Sequence, residues 1–478
     1  MANKYGEVFD VVVIGSGFAG LAAAIEARAA GASTIILEKT KGRGGNSIIS
    51  EGFIAAAGSV FQKKQSIIDS PECMASDMKK AGLDLNHPDL VRTVTENSSS
   101  AIDWTIEEIG VTYLDQVVQL GGHSRPRTLI VKSRSNVCCG AVLVRKMLSK
   151  ALDMGIEIRT QAYVQTIVRE AGGPVTGVTI REAQSSLQIE PGIVKTIGCR
   201  KGVVLASGGF ASDVRFRTIL NPLLDSSVET TNRPGATAEL LTEAIRIGAM
   251  PIHLSAIQLG PWASPDEKGL NVGSNFASMA VFPHGIVVDP RTGERLLNEL
   301  GDRKVRADAM LAADHICIGF VDAKGASFVD HFLPRCLSNG VVTPFDTLAE
   351  LAHHYKIPAN KLKRTVTAFN DYLKNGKDVE FGRPIRENEI ILEQPPFYAI
   401  RLWPKIHYTS GGVQIDTHAR VIGLDQQPIE GFFAAGEITG GIHGACRLGS
   451  CAISDCLVFG RIAGQQAALR LEIKSLES

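Results

Sequence analysis

The sequence has no net charge, few aromatic residues and no long apolar run, and these lacks narrow the classes of function open to it. Fifty basic residues balance fifty acidic ones across 478 positions. Without a charge excess there is no electrostatic case for nucleic acid or an anionic membrane surface as partner. Nowhere do 18 consecutive apolar residues occur, so no membrane span is expected. The first ten residues are polar and lead straight into a strand, which reads as no export signal and makes a cytoplasmic setting the expectation. The nine cysteines are odd in number, show no metal-ligand spacing and include no C-x-x-C-H haem attachment. They read as reduced core residues, with no metal and no iron–sulfur site expected.

What is abundant is glycine, with 48 residues. That is well above the usual share of roughly 7%. The glycines gather in short motifs, which points to backbone approaching a ligand. The length suits two or three domains, the second inserted into the first. Residues 9–15 read as a buried strand, 18–30 as an Ala-rich helix and 33–38 as a second strand, together a βαβ unit. Helices are predicted over 86–110 and 140–154, with a strand at 156–160, an antiparallel meander over 162–197 and a buried strand at 203–206. From 255 to 407 the texture shifts to loops rich in Pro, Asp and Gly, with helices at 304–313 and 345–374, and this stretch reads as an inserted domain. The first domain is then 1–254 completed by 408–478.

Gly15-Ser16-Gly17-Phe18-Ala19-Gly20 lies between a predicted strand and helix. The first glycine makes the turn, the second admits a pyrophosphate, and the third lets helix pack on strand. Glu38 ends the second strand, where an acid accepts hydrogen bonds from ribose hydroxyls. Gly44-Gly45-Asn46-Ser47, Ala206-Ser207-Gly208-Gly209 and Ala435-Gly436-Glu437 follow at later strand ends. Four such motifs suit a long cofactor lying extended across a sheet, which favours FAD over NAD.

These motifs, with Pro396–Ala399, His407–Gly412 and the run Ala435–Gly449, resemble the flavoprotein of the fumarate reductase and succinate dehydrogenase superfamily over nearly the whole chain. The similarity is to the soluble branch typified by flavocytochrome c fumarate reductases and urocanate reductase. It implies an α/β fold, an FAD-binding Rossmann-like domain of glutathione-reductase type with an inserted α+β capping domain at 255–407. It also implies an FAD-dependent oxidoreductase acting on CH–CH bonds, an ene-reductase moving hydride from flavin N5 to the C=C of an α,β-unsaturated carboxylate. The resemblance assigns Arg303 as proton donor and His407 with Arg447 as the grip on the substrate carboxylate, beside Gln258 and Gly449. Cofactor contacts are implied at Gly15, Ser16, Gly17, Phe18, Ala19, Gly20, Glu38, Lys39, Gly44, Gly45, Asn46, Ser47 and Gly52. Others are implied at Val164, Ala206, Ser207, Gly208, Gly436, Glu437, Arg447, Ser450, Ala452 and Ile453. His443 reads as structural.

The chain departs from the family pattern in two places. The positions of a glutamate and arginine that relay protons to the donor fall near Ser278 and Val281, which carry no such chemistry. The second carboxylate grip falls near Gly260 and Ala277, so the expected substrate is a monocarboxylate with a neutral or bulkier tail, its far end shaped by Gln258, Trp262 and His284. Asp302, Glu299 or water could feed protons to Arg303. No histidine lies between Lys39 and Gly58, which predicts noncovalent FAD, and without haem or cluster motifs the electrons must come from a separate protein or reduced carrier. Two alternatives stay open. One is a dehydrogenase of a ketosteroid-like or saturated substrate, for which Tyr408 speaks, and the other is a non-catalytic flavoprotein subunit.

Overall fold

The computed structural model describes residues 5–133, 138–182, 193–330, 332–386 and 389–472. Apolar runs without alternation build a parallel sheet buried on both faces. β1 (Glu7–Ile14) leads through helix α1 (Phe18–Ala29) to β2 (Thr34–Glu38), which pairs with β1 in parallel. β3 (Glu157–Thr160) adds outside β2, β4 (Ile193–Leu205) adds on the other side of β1, and β5 (Pro428–Ala434) follows beyond β4, all in parallel. A strand from near the end of the chain thus joins the sheet, and the antiparallel strand Arg420–Ile422 edges it beyond β5.

β4 corrects one sequence expectation, because the end of the predicted meander and the predicted strand at 203–206 are a single strand. Its first part pairs antiparallel with the hairpin Ala162–Arg169/Val175–Glu182, and its later part runs parallel to β1. Gly198 and Gly202 within this strand mark close packing, since a Cβ at Gly198 would meet the Tyr5 ring at 2.9 Å and one at Gly202 would meet the carbonyl of Gly431 at 3.0 Å.

Residues between Trp262 and Leu402 form a second apolar core. It is organised by an antiparallel four-stranded sheet in the order Ile286–Val288, Cys317–Val321, Phe397–Leu402, Val342–Phe345. Helix α2 (Arg303–Ala313) begins one residue earlier than predicted, capped by Asp302, whose carboxylate accepts from Val305 N at 3.0 Å. The predicted helix over 345–374 is two, Leu348–Tyr355 and Ala359–Lys374, because Lys356 takes a left-handed φ of 57° and Pro358 follows. The chain enters and leaves this core along an antiparallel pair, Ile257–Gly260 and Lys405–Thr409, which sets Gln258 opposite Tyr408. Helix α3 (Cys451–Leu469) then packs tightly on α1. Cβ atoms at Gly460 and Gly464 would run into the backbone carbonyls of Ala19 and Ala23, so only glycine permits this approach. Among the described residues no helix is long and apolar enough to cross a membrane.

Candidate active site

The β1–α1 turn is built as its glycines predict. Gly15 takes φ +105°, and a Cβ on Gly20 would occupy the carbonyl of Gly15, so helix and strand close on each other here. Gly17 is the N-cap of α1 and offers no side-chain acceptor, leaving first-turn N–H groups to other partners. Phe18 N donates to Ser47 Oγ at 3.0 Å. Ser16 Oγ donates to Glu38 Oε2 at 2.6 Å and accepts from Gly44 N at 2.8 Å, while Thr40 N and Oγ1 both donate to Glu38 Oε1. Thus the first two glycine motifs and Glu38, far apart in sequence, form one hydrogen-bonded unit.

The other motif residues arrive at the same sheet edge. Ala206 N donates to Ile14 O and Ala435 N to Leu205 O, bringing the later two motifs beside Gly15. Asn46 lies against Asn232 and accepts from Arg233 N at 2.9 Å. Val164 sits on the hairpin strand Ala162–Arg169, and Ala452 and Ile453 open α3. Lys39 is placed differently from a cofactor contact, since its ammonium bonds Thr237 at 2.6 Å and Glu239 at 3.2 Å. Glu437 accepts from Thr409 N at 3.0 Å and Oγ1 at 3.2 Å, and burial pushes its carboxyl up to about 7.

A second cluster holds Arg303, His407, Arg447 and Gln258. Gln258 Nε2 donates to the carbonyl of Arg447 at 2.8 Å and to Cys446 Sγ at 2.8 Å, and its Oε1 accepts from Arg303 Nη1 at 3.3 Å. The amide is a strut joining the two arginine-bearing segments, so neither of its ends is left over in the manner expected of a substrate contact. Arg303 lies over the Trp262 ring at 4.3 Å, and Arg447 over the Tyr408 ring at 4.6 Å. His407 Nδ1 bonds Thr231 Oγ1 at 2.8 Å, and its ring meets the Trp262 edge with centroids 5.0 Å apart. Burial, then the charges of Arg303 and Arg447, hold His407 well below its usual pKa, so it is neutral. Burial, then Arg447, pushes the Arg303 guanidinium well below its usual value. Arg447 Nε is buried without a protein partner.

Two groups expected near Arg303 are committed elsewhere. Asp302 caps α2, and Glu299 is fully buried in an ion pair with Arg295 at 2.7 Å. His284 stacks on the half-exposed ring of Phe328 at 4.2 Å. His443, buried against Asp455 at 3.2 Å on α3, has the structural partner expected of it.

Sequence reasoning missed Glu51. It sits between the 3-10 turn Gly45–Ile49 and the strand Phe53–Ala55, a segment tied to the Arg447 loop because Ala55 N donates to Ser450 O at 3.1 Å. Its Oε1 is buried with no protein partner. Burial lifts its carboxyl to about 7 against the opposing pull of Arg303 and Arg447. An acid inside a glycine-rich cofactor loop was the available signal. Thr231 and Asn232, which orient His407, carried none.

Comparison with known proteins points to one family of flavoproteins. Residues 10–453 match the FAD binding domain family. The chain is 40% identical over 476 residues to the acrylate reductase flavoprotein subunit of Shewanella woodyi, covering 97% of this chain and 92% of that one. It is 34% identical over 474 residues to a fumarate reductase (cytochrome) of Shewanella frigidimarina, covering 98% and 78%. The open conformation of a flavocytochrome c3 fumarate reductase superposes with a TM-score of 0.75 at 31% identity, covering 97% and 78%. The residues at the glycine motifs fit FAD on their own terms. Gly45 and Gly208 have positive φ with open space where a side chain would stand, α1 lacks a side-chain cap, and Glu51 and Arg447 hold buried polar atoms without protein partners.

Proposed function

The chain belongs to the FAD binding domain family, and from that premise we propose that it is an FAD-dependent ene-reductase of α,β-unsaturated monocarboxylates. One observation carries the reading: Arg303, Arg447 and neutral His407 are brought together around Gln258 and Trp262, next to the glycine-lined cofactor cleft.

Gly15–Gly20 and the α1 N-terminus would hold the pyrophosphate, Glu38 the ribose, and Gly44–Ser47, Gly208, Gly436 and Glu437 the rest of the cofactor. FAD when bound supplies the hydride. The absence of histidine between Lys39 and Gly58 supports noncovalent attachment. Arg447 grips the substrate carboxylate with its planar fork. His407, held through Nδ1 by Thr231 Oγ1 at 2.8 Å, offers Nε2 to the same group. Together they draw electron density from the double bond and ease hydride addition at the β-carbon. Arg303 gives the proton to the α-carbon. A guanidinium held in water parts with a proton only above pH 12, and the burial and like charge around Arg303 make this one a better acid. Glu51 returns the proton, being the carboxyl near both arginines whose own proton is not committed.

Residues 255–407 act as the cap that closes over the substrate. A separate reduced carrier supplies electrons, and the cysteine usage supports the cytoplasm as the working compartment. Tyr408 lends no support to the dehydrogenase reading, because its ring is the platform under Arg447 and burial raises its hydroxyl well above the usual range.

The test is anaerobic reduction of the FAD-loaded protein followed by acrylate, methacrylate, fumarate, urocanate or cinnamate. Rapid reoxidation by a monocarboxylate supports the reading. Failure of every enoate to reoxidise a stoichiometrically loaded protein overturns it in favour of a non-catalytic subunit.

A further inference from the structure

Trp262 is 4% exposed and follows directly on the strand Ile257–Gly260 that carries Gln258. Its indole touches both members of the polar cluster that face it, with Arg303 stacked on the ring at 4.3 Å and His407 edge-on at 5.0 Å. The ring also takes the room that a side chain at position 260 would use. A Cβ on Gly260 would meet Trp262 Cζ2 at 3.1 Å, Cε2 at 3.2 Å and His407 Cβ at 3.4 Å. Glycine at 260 and tryptophan at 262 are therefore complementary, the first yielding the volume that the second fills. The rest of the indole belongs to the second apolar core, with Phe276, Ala277, Ala280 and Val281. Beyond the ring there is apolar packing, so the face of Arg303 that Trp262 covers is closed to ligand. The indole N–H is buried with no protein partner, a polar atom left over at the edge of the same cluster.

We propose that Trp262 sets the size of the substrate: its indole closes the space beside Arg303 and His407, so the site takes enoates with a short tail and refuses those with a bulky one. This rests on the carboxylate-reductase reading and deepens it. Of the neutral or bulkier tail expected from the sequence, this keeps the neutral and drops the bulky one, and a three- to four-carbon skeleton such as that of acrylate or methacrylate is the substrate class. Refusal is steric, because a close-packed wall does not part for an extra ring. Replacing the indole by a small apolar group leaves a cavity that an apolar tail can enter, beside the uncovered face of Arg303.

Binding rather than turnover tests this most cleanly. FAD-loaded wild type, Trp262→Ala and Trp262→Phe are titrated calorimetrically with acrylate, methacrylate, cinnamate and fumarate. The Phe variant keeps a ring under Arg303 and guards against loss of folding in the Ala variant. Wild type is expected to bind acrylate about 100-fold more tightly than cinnamate, and Trp262→Ala to narrow that ratio by about tenfold or more, with Trp262→Phe between them. An acrylate-to-cinnamate ratio unchanged within about twofold in both variants overturns the proposal. Loss of all ligands from both variants at full FAD content also overturns it, since the indole would then support Arg303 and not gate the pocket. A wild type that binds none of the four carboxylates sinks the functional reading itself, which separates the two failures.

Discussion

Gln258 Oε1 accepts from Arg303 Nη1 at 3.3 Å while the same amide donates to the backbone of Arg447. One side chain on the strand Ile257–Gly260 thereby fixes the spacing between Arg303 on α2 and Arg447 on the loop before α3. Gln258→Leu preserves volume and removes both links. It should lower kcat for enoate reduction by about 10- to 100-fold with FAD content intact, the scale at which misplacing a reacting group is felt. Gln258→Glu should recover part of the loss, because a carboxylate still accepts from Arg303. Stopped-flow reoxidation of the two variants checks this, and a Gln258→Leu rate within about twofold of wild type contradicts the strut.

Glu51 gives the reaction a pH dependence. With its carboxyl lifted to about 7, it holds a returnable proton below that pH and loses it above. The reductase rate should therefore fall as pH rises through about 7. In Glu51→Gln the steady-state rate should drop by about 100-fold and the fall near neutrality should flatten, since the proton-returning carboxyl no longer titrates. A pH–rate profile of the variant superimposable on wild type would rule out Glu51 as the source.

How much of this was legible beforehand follows the range of the interactions. The Gly15–Gly20 turn was readable because strand, glycine spacing and helix are adjacent in sequence and each glycine answers a local steric demand. The second core's antiparallel sheet was not. Ile286–Val288 and Cys317–Val321 are short runs buried on both faces, which carry no alternation to betray them. Roles that depend on meeting across the fold were the hardest to see. Gln258 reads as a ligand contact until the Arg447 carbonyl comes within 2.8 Å, and Glu51 reads as a loop acid until burial and the pull of the two arginines act on it. Asp302 and Glu299 looked like proton sources because their sequence neighbours gave no hint of the α2 cap or of Arg295 as partners.

The loop carrying Arg447 rests on a buried ionic chain. Arg127, with a fully buried side chain, pairs with Asp69 at 2.8 Å and Asp77 at 2.5 Å and bonds His123 Nδ1 at 3.1 Å. Burial and then Arg127 push His123 down to about 4, so the ring is neutral, and its Nε2 lies 2.8 Å from the carbonyl of Gly449. Arg127→Met leaves two buried carboxylates facing each other. The expected cost is about 3–5 kcal/mol, seen as a fall in thermal midpoint together with weaker FAD retention. A melting curve unchanged from wild type would mean that this chain does not hold the loop.

The central claim is that Arg303 protonates an enoate gripped by Arg447 and His407. Its most direct test is single-turnover reoxidation of the reduced flavoprotein by acrylate, comparing wild type with Arg303→Gln and measuring acrylate binding to each. The account predicts a reoxidation rate lower by about 100- to 10,000-fold in the variant, with affinity for acrylate within about tenfold because the carboxylate grip is intact. A variant rate within about threefold of wild type would contradict it, because the proton would then come from somewhere other than Arg303.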